Sequence, residues 1–198
     1  MGAYRTRSLV VTLVALLTSA GMAFAASPTE TIQTAVQRVF ADNGAAQVKL
    51  ASTAERRAQI RQGAEALFDF KEMARRSLGD RWEVLARADQ DEFVRLFTNL
   101  IAASYMSKIE LYAGEPIRYL GEQVNGQEAA VQSRMVTPKG SQVDVEYHLY
   151  HAADRWVVYD VSVNGVSLVG NYRTQFSHLL QRTSFADLLK TMRQKAGS

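Results

Sequence analysis

The spacing of apolar residues changes twice along this 198-residue chain, and this change constrains the fold more than any other feature. Apolar residues recur every three or four positions up to Tyr112, every second position from Ile117 to Val163, and every three or four positions again from Tyr172. The first spacing is typical of a helix with one buried face, and the second of a half-buried strand. The pattern predicts a single α+β domain over residues 26–198, with helices packed on one face of a curled antiparallel sheet.

Capping signals indicate where the predicted helices begin and end. Ser27-Pro28-Thr29-Glu30 and Ser52-Thr53-Ala54-Glu55 both have the capping-box spacing of serine followed three positions later by glutamate. A short helix follows Phe68-Asp69-Phe70 and ends at Leu78-Gly79, where glycine suits the C-cap. The longest helix begins at Asp89-Gln90-Asp91-Glu92 and has an apolar stripe with helical spacing.

Four alternating segments predict a four-stranded sheet over residues 117–124, 129–136, 143–149 and 156–163. Short turns separate them, and turns of this length join antiparallel neighbours. In the third segment Val143, Val145, Tyr147 and Leu149 alternate with polar residues, so one sheet face is predicted to be dry. The predicted organisation is helical over 26–112, antiparallel sheet over 113–169 and helical over 170–198.

The first 25 residues have the three parts of a secretory signal peptide. Arg5 and Arg7 precede an apolar run over residues 9–17, and Ala23-Phe24-Ala25 fits the small-residue rule for cleavage. We expect cleavage near Ala25 and export of residues 26–198. The alternative is an uncleaved membrane anchor, because weakly apolar residues extend the run almost to the length that spans a bilayer.

Charge and cysteine content narrow the classes of function. The chain has 23 basic and 20 acidic residues, and removal of Arg5 and Arg7 leaves 21 against 20, a net charge of +1. Nucleic-acid binding, which needs a dense array of Lys and Arg, is therefore not expected. The absence of cysteine excludes disulfides, a thiolate nucleophile and a lipidated cysteine anchor. A soluble periplasmic protein fits these features.

Few residues have the spacing of a catalytic or metal site. Ser167 lies between a strand and a helix, as a hydrolase nucleophile does, but its G-x-S-x-x-G context has one residue too many for that motif. A turn or cap role is the simpler interpretation, with an exported esterase as the alternative. His148 and His151 are three apart on a strand and face opposite sides. We predict no catalytic residue, metal or cofactor.

Whole segments of the chain resemble the MlaC, or toluene-tolerance, family. The most specific are Trp-Val-Val-Tyr-Asp-Val at 156–161, Gly-Val-Ser-Leu-Val at 165–169 and Asn-Tyr-Arg-Thr-Gln-Phe at 171–176. Members are periplasmic phospholipid-binding proteins of outer-membrane lipid-asymmetry transport. Two local departures are Asn164, where the family often has an acid, and Phe185-Ala186-Asp187, where it usually has a glycine-containing turn.

The resemblance implies a shuttle that moves glycerophospholipids between the outer and inner membranes as the soluble component of an ABC-type lipid transport system. Its expected partners are a phospholipid ligand, an inner-membrane ABC transporter complex and an outer-membrane lipoprotein complex. We expect a monomer with only transient membrane contact. A carrier of another hydrophobic molecule, such as a hopanoid, is the alternative.

A lipid carrier needs a dry slot, because exposing roughly 30 methylenes at about 0.8 kcal/mol each costs about 20 kcal/mol or more. We expect an apolar cavity between the sheet and the helices, with the head group left in water at its mouth. Arg173, whose guanidinium suits phosphate, is the candidate head-group contact, and a structural ion pair or cap is its alternative role. The predicted lipid-binding residues are Phe97, Leu100, Ile101, Tyr105, Val131, Met135, Val145, Tyr147, Leu149, Val166, Leu168, Tyr172 and Phe176.

Overall fold

The computed structural model describes residues 26–40, 53–110, 116–137 and 140–196. Its helices are α1 (Pro28–Phe40), α2 (Thr53–Leu67), α3 (Phe70–Leu78), α4 (Arg87–Glu110), α5 (Leu168–Leu180) and α6 (Phe185–Ala196), with a 3-10 helix at Gly79–Val84. Its strands are β1 (Ile117–Asn125), β2 (Glu128–Val136), β3 (Gln142–Ala152), β4 (Arg155–Val163) and β5 (Val166–Ser167). The predicted signal peptide lies outside the described residues, and so does Ser52. Within these ranges no helix combines the length and apolarity needed to cross a membrane.

The capping box predicted at Ser27 is confirmed at the start of α1. The Ser27 hydroxyl accepts from the Glu30 N–H at 3.1 Å, and the Glu30 carboxylate accepts from the Ser27 N–H at 2.8 Å. This box satisfies two of the N–H donors at the helix start. Pro28, which lies between Ser27 and Glu30, has no N–H that needs an acceptor. The local sequence thus fixes where α1 begins.

The sheet is antiparallel in the order β1-β2-β3-β4-β5, so the prediction of four strands was wrong. The fifth strand pairs Val166 with Val163 and Ser167 with Ser162 after a turn in which Asn164 and Gly165 both have positive φ. A strand of two residues is too short to show an alternation of apolar and polar side chains. The strand β5 forms because this turn folds it back on β4.

The buried apolar residues form two separate cores. The helical core joins α3 to α6 around Phe93 and Phe97, whose rings contact Phe176. The sheet core joins one sheet face to α1 and the end of α2, with Ile32 from α1 fully buried. Phe68, between α2 and α3, packs against both cores.

Two polar joints tie β4 to the helices of the helical core. The Asp69 N–H donates to the Val158 carbonyl at 2.9 Å, and the Asp69 carboxylate caps α3 by accepting from the Glu72 N–H at 2.9 Å. The buried Asp160 carboxylate accepts from the Val169 N–H in the first turn of α5 at 2.9 Å. The β4 side of the sheet is therefore firmly attached to α3 and α5.

Candidate functional site

One face of the sheet is apolar, and α1 covers only part of it. Beneath α1, Val131, Leu149 and Val158 are completely buried. Farther along the same face, Val163 is 38% exposed and its β5 partner Val166 is 62% exposed. An apolar surface therefore runs continuously from a closed core to the solvent-exposed edge of the sheet.

Half-buried residues connect the covered and uncovered parts of this face. The register pairs Met135 with Val143, and Tyr147 with Val161, and all four side chains are of intermediate exposure. Val145, also half-buried, lies between these pairs and opposite Val163. We call Met135, Val143, Val145, Tyr147 and Val161 the apolar strip.

The second half of α4 carries further apolar side chains. A groove of about 60 Å³ lies between this part of α4, α2 and Phe70. Its apolar lining is Ile60, Ala64, Phe70, Ile101, Ala102, Tyr105, Met106 and Ile109. Burial, together with the nearby Tyr172, raises the pKa of Tyr105, so this phenol stays neutral at physiological pH.

A second cavity of about 180 Å³ lies between α4, α5 and α6. Leu100 and Phe176 contribute apolar surface, and Ser104, Tyr172 and Lys195 contribute polar groups. Ligand pockets usually measure about 300–1,000 Å³, so each of these two spaces is smaller than a typical ligand site. A lipid tail could enter either space only if the packed elements around it separated.

The structure divides the predicted lipid-binding residues among several environments. Those in or against the helical core are Phe97, Leu100, Ile101, Leu168, Tyr172 and Phe176. Those in or against the sheet core are Val131, Tyr147 and Leu149, and those on the uncovered sheet face are Met135, Val145 and Val166. Tyr105 lines the groove. The prediction placed Val166 in the interior, but it is exposed because the two-residue β5 is the last strand of the sheet.

Arg173 lies at the C-terminal end of α3. Gly79 caps that helix with a φ of 58°, and a Cβ added there would lie 3.0 Å from the Arg173 guanidinium. A cation in this position complements the carbonyl groups at a helix end. The sequence predicts either a head-group contact or a structural ion pair or cap for Arg173, and the structure places its guanidinium group beside Gly79.

Ser167 is the N-cap residue of α5. Its hydroxyl donates to the Asp160 carboxylate and accepts from the Gly170 N–H at 2.8 Å. Asp160 also accepts from the Val161 N–H at 2.8 Å. The hydroxyl group is thus engaged in capping, with a carboxylate rather than a histidine as its acceptor.

A cluster that the sequence did not reveal lies on the opposite sheet face, where α3 packs. The Tyr150 hydroxyl donates to the Asp69 carboxylate, and the Arg76 guanidinium lies 3.8 Å from the centre of the Tyr159 ring. Burial and the Asp69 charge raise the pKa of Tyr150 to about 12. These contacts cover part of the second face of β4.

Comparisons with known proteins identify relatives of this chain. The phospholipid-binding protein of Ralstonia solanacearum, solved in complex with a phospholipid, has the same fold, with a TM-score of 0.77 and 20% identity over 87% of this chain and 98% of that one. A Campylobacter jejuni protein described as an NTF2-like transpeptidase aligns with a TM-score of only 0.30 and 14% identity, over 54% of this chain and 97% of that one. No curated protein matches the sequence. The family model described as "MlaC protein" matches residues 33–194, and the chain therefore belongs to the MlaC family.

Proposed function

We propose that this protein is a periplasmic phospholipid carrier. In this proposal it moves glycerophospholipids between the outer and inner membranes, exchanging them with an outer-membrane lipoprotein complex and an inner-membrane ABC transporter. Family membership and the phospholipid complex of the Ralstonia protein support the ligand class. Export to the periplasm is supported by the signal-peptide pattern of the first 25 residues.

The observation that carries the proposal is the partly covered apolar face of the sheet. Half-exposed apolar side chains forgo about 25 cal/mol for each Å² left in water, so a ligand that covers them gains that free energy. Here the apolar strip continues past α1 to Val163 and Val166. A hydrocarbon tail that lies on this strip would bury the apolar side chains that α1 does not cover. The head group would then remain in water at the β5 edge of the sheet, beside Val166.

Separation of α1 and α2 from the sheet would enlarge this site. Most of α2 is exposed, and its buried side chains are Ile60 and Leu67. Among the side chains that the structure describes, the helical core contains none from α1 or α2, so displacement of the two helices leaves its residues packed on one another. The two helices pack closely on each other, because a Cβ on Gly63 would meet the Val39 side chain at 2.1 Å. We propose that they move as a pair and that the lipid occupies the space beneath them.

Lipids extracted from protein purified without detergent test the ligand. We expect glycerophospholipid in native mass spectra, at a stoichiometry of one or more per chain. Recovery of a hopanoid instead would favour the alternative carrier, and protein free of any lipid in every preparation would refute both. An esterase is disfavoured because the Ser167 hydroxyl is committed to Asp160 and Gly170.

Val145→Arg tests the position of the site against a matched control. An arginine at Val145 would place a charge within the apolar strip, where its desolvation opposes tail binding, and we expect lipid content to fall at least tenfold. Val136, 42% exposed, lies on the opposite sheet face one residue beyond Met135, so Val136→Arg should keep its lipid. Equal lipid content in the two variants would refute this location. Leu149 is unsuitable for the same test because it is fully buried and its replacement by arginine would disrupt the core.

A further inference from the structure

A glutamate on the apolar sheet face forms hydrogen bonds with the start of α1. A register shift between Tyr119 and Gly121 interrupts the alternation of β1, so that Glu122 lies opposite Val131. Without this bulge, Gln123 rather than Glu122 would point to that face. The bulge therefore directs a carboxylate toward the side of the sheet that α1 covers.

This carboxylate completes the N-terminal cap of α1. Glu122 Oε2 accepts from the Thr29 N–H at 2.8 Å and from the Thr29 hydroxyl at 2.6 Å, across 93 residues of sequence. The other donor in the first turn, the Glu30 N–H, already bonds to Ser27, and Pro28 has none. The acceptor for Thr29 is thus a residue of β1, and a negative charge is favoured at this end of a helix.

We infer that Glu122 is a clasp that fastens α1 over the sheet and sets how readily the lipid site opens. This role rests on the carrier function proposed above. The clasp lies on the β1 side of the sheet, whereas the β4 side is joined to α3 and α5 through Asp69 and Asp160. Detachment of α1 breaks both bonds to Glu122 without breaking the β4 joints. Opening at the β1 side therefore leaves the attachment of the sheet to the helical core intact.

Hydrogen exchange tests the clasp without any lipid. In Glu122→Ala the amides of α1 should exchange about tenfold faster, and those of α5 should not change. Gln123→Ala removes a long side chain from the other face of the same strand and should leave α1 exchange unchanged. Thr29→Val loses the hydroxyl donor but keeps the backbone N–H, so an intermediate effect is expected. If the α1 amides of Glu122→Ala exchanged hydrogen at the wild-type rate, the proposed role of Glu122 as a clasp would be overturned.

Transfer of a fluorescent phosphatidylethanolamine from the loaded protein to phosphatidylcholine vesicles tests the gating role. Glu122→Ala should transfer the lipid several-fold faster than wild type. Because the chain has no cysteine, Thr29→Cys and Glu122→Cys can be joined selectively by a short bis-maleimide, and this bridge should suppress transfer. The gating role alone would be overturned if lipid transfer were unchanged in Glu122→Ala and in the bridged protein while the α1 amides of Glu122→Ala exchanged hydrogen faster. Wild-type protein that never loads lipid would refute the carrier function and the gating role together, while the exchange result would still decide the clasp.

Discussion

Ile32→Ala is the most direct test of the division into two cores. Ile32 is completely buried in the sheet core, and truncation of a buried isoleucine to alanine usually costs 2–5 kcal/mol. Since every 1.4 kcal/mol is a factor of ten, the equilibrium for detachment of α1 should rise by about 30-fold to several thousand-fold. Because none of the α1 side chains that the structure describes belongs to the helical core, that core should keep its stability.

The two tryptophans of the chain report the cores separately. Trp82 is buried in the helical core and Trp156 in the sheet core. In urea unfolding of single-tryptophan variants, Ile32→Ala should shift the Trp156 transition to lower urea much more than the Trp82 transition. Leu188→Ala, a comparable truncation in the helical core, should do the reverse. Coincident transitions that shift equally in both variants would show a single cooperative core and refute the reasoning.

Two further predictions concern Ser167 and Glu72. Ser167→Ala removes the N-cap of α5 and should cost about 1 kcal/mol of unfolding free energy in urea, with no change in ester turnover; loss of a measurable esterase activity would instead support catalysis. The hydrogen bond from Arg75, with a further one from Arg76, lowers the pKa of Glu72 from its ordinary 4.5. The stability that ionised Glu72 adds is complete above pH 4.5 and is lost as the pH falls through the lowered pKa. In Glu72→Gln the melting temperature should therefore fall less steeply as the pH is lowered. A fall as steep as in the wild type would contradict this.

The spacing of apolar residues predicted most of the fold, because this spacing determines which face of a helix or strand is apolar. The four long strands lie within three residues of their predicted limits, and α4 begins two residues before the predicted Asp89. The fifth strand and the bulge at Leu120 were not predictable in this way. Each depends on pairing with a neighbouring strand, and neither leaves a pattern in its own few residues.

The candidate site was less predictable than the fold. Phe97 and Val145 both occupy apolar positions with regular spacing, yet one fills the helical core and the other lies half-exposed on the sheet. Spacing identifies the apolar face of an element but not what packs against it. Glu122 shows the same limit, because its bond to Thr29 requires a bulge in β1 and a helix 93 residues earlier in the chain.

The free energies of opening the proposed carrier and of binding the lipid tails can be compared. Displacing α1 exposes Ile32 and the sheet residues beneath it, and re-exposing a buried aliphatic side chain costs about 1.5–3 kcal/mol. A tail that enters the slot covers the same sheet residues again, so part of this cost is recovered. Withdrawing the tails from water is worth roughly 20 kcal/mol, which is of the same order as re-exposing all the buried residues of the sheet core, so the part of the cost that the tail recovers is decisive. The rate of exchange should therefore depend on how α1 is fastened, and tight packing in the closed structure is compatible with lipid binding.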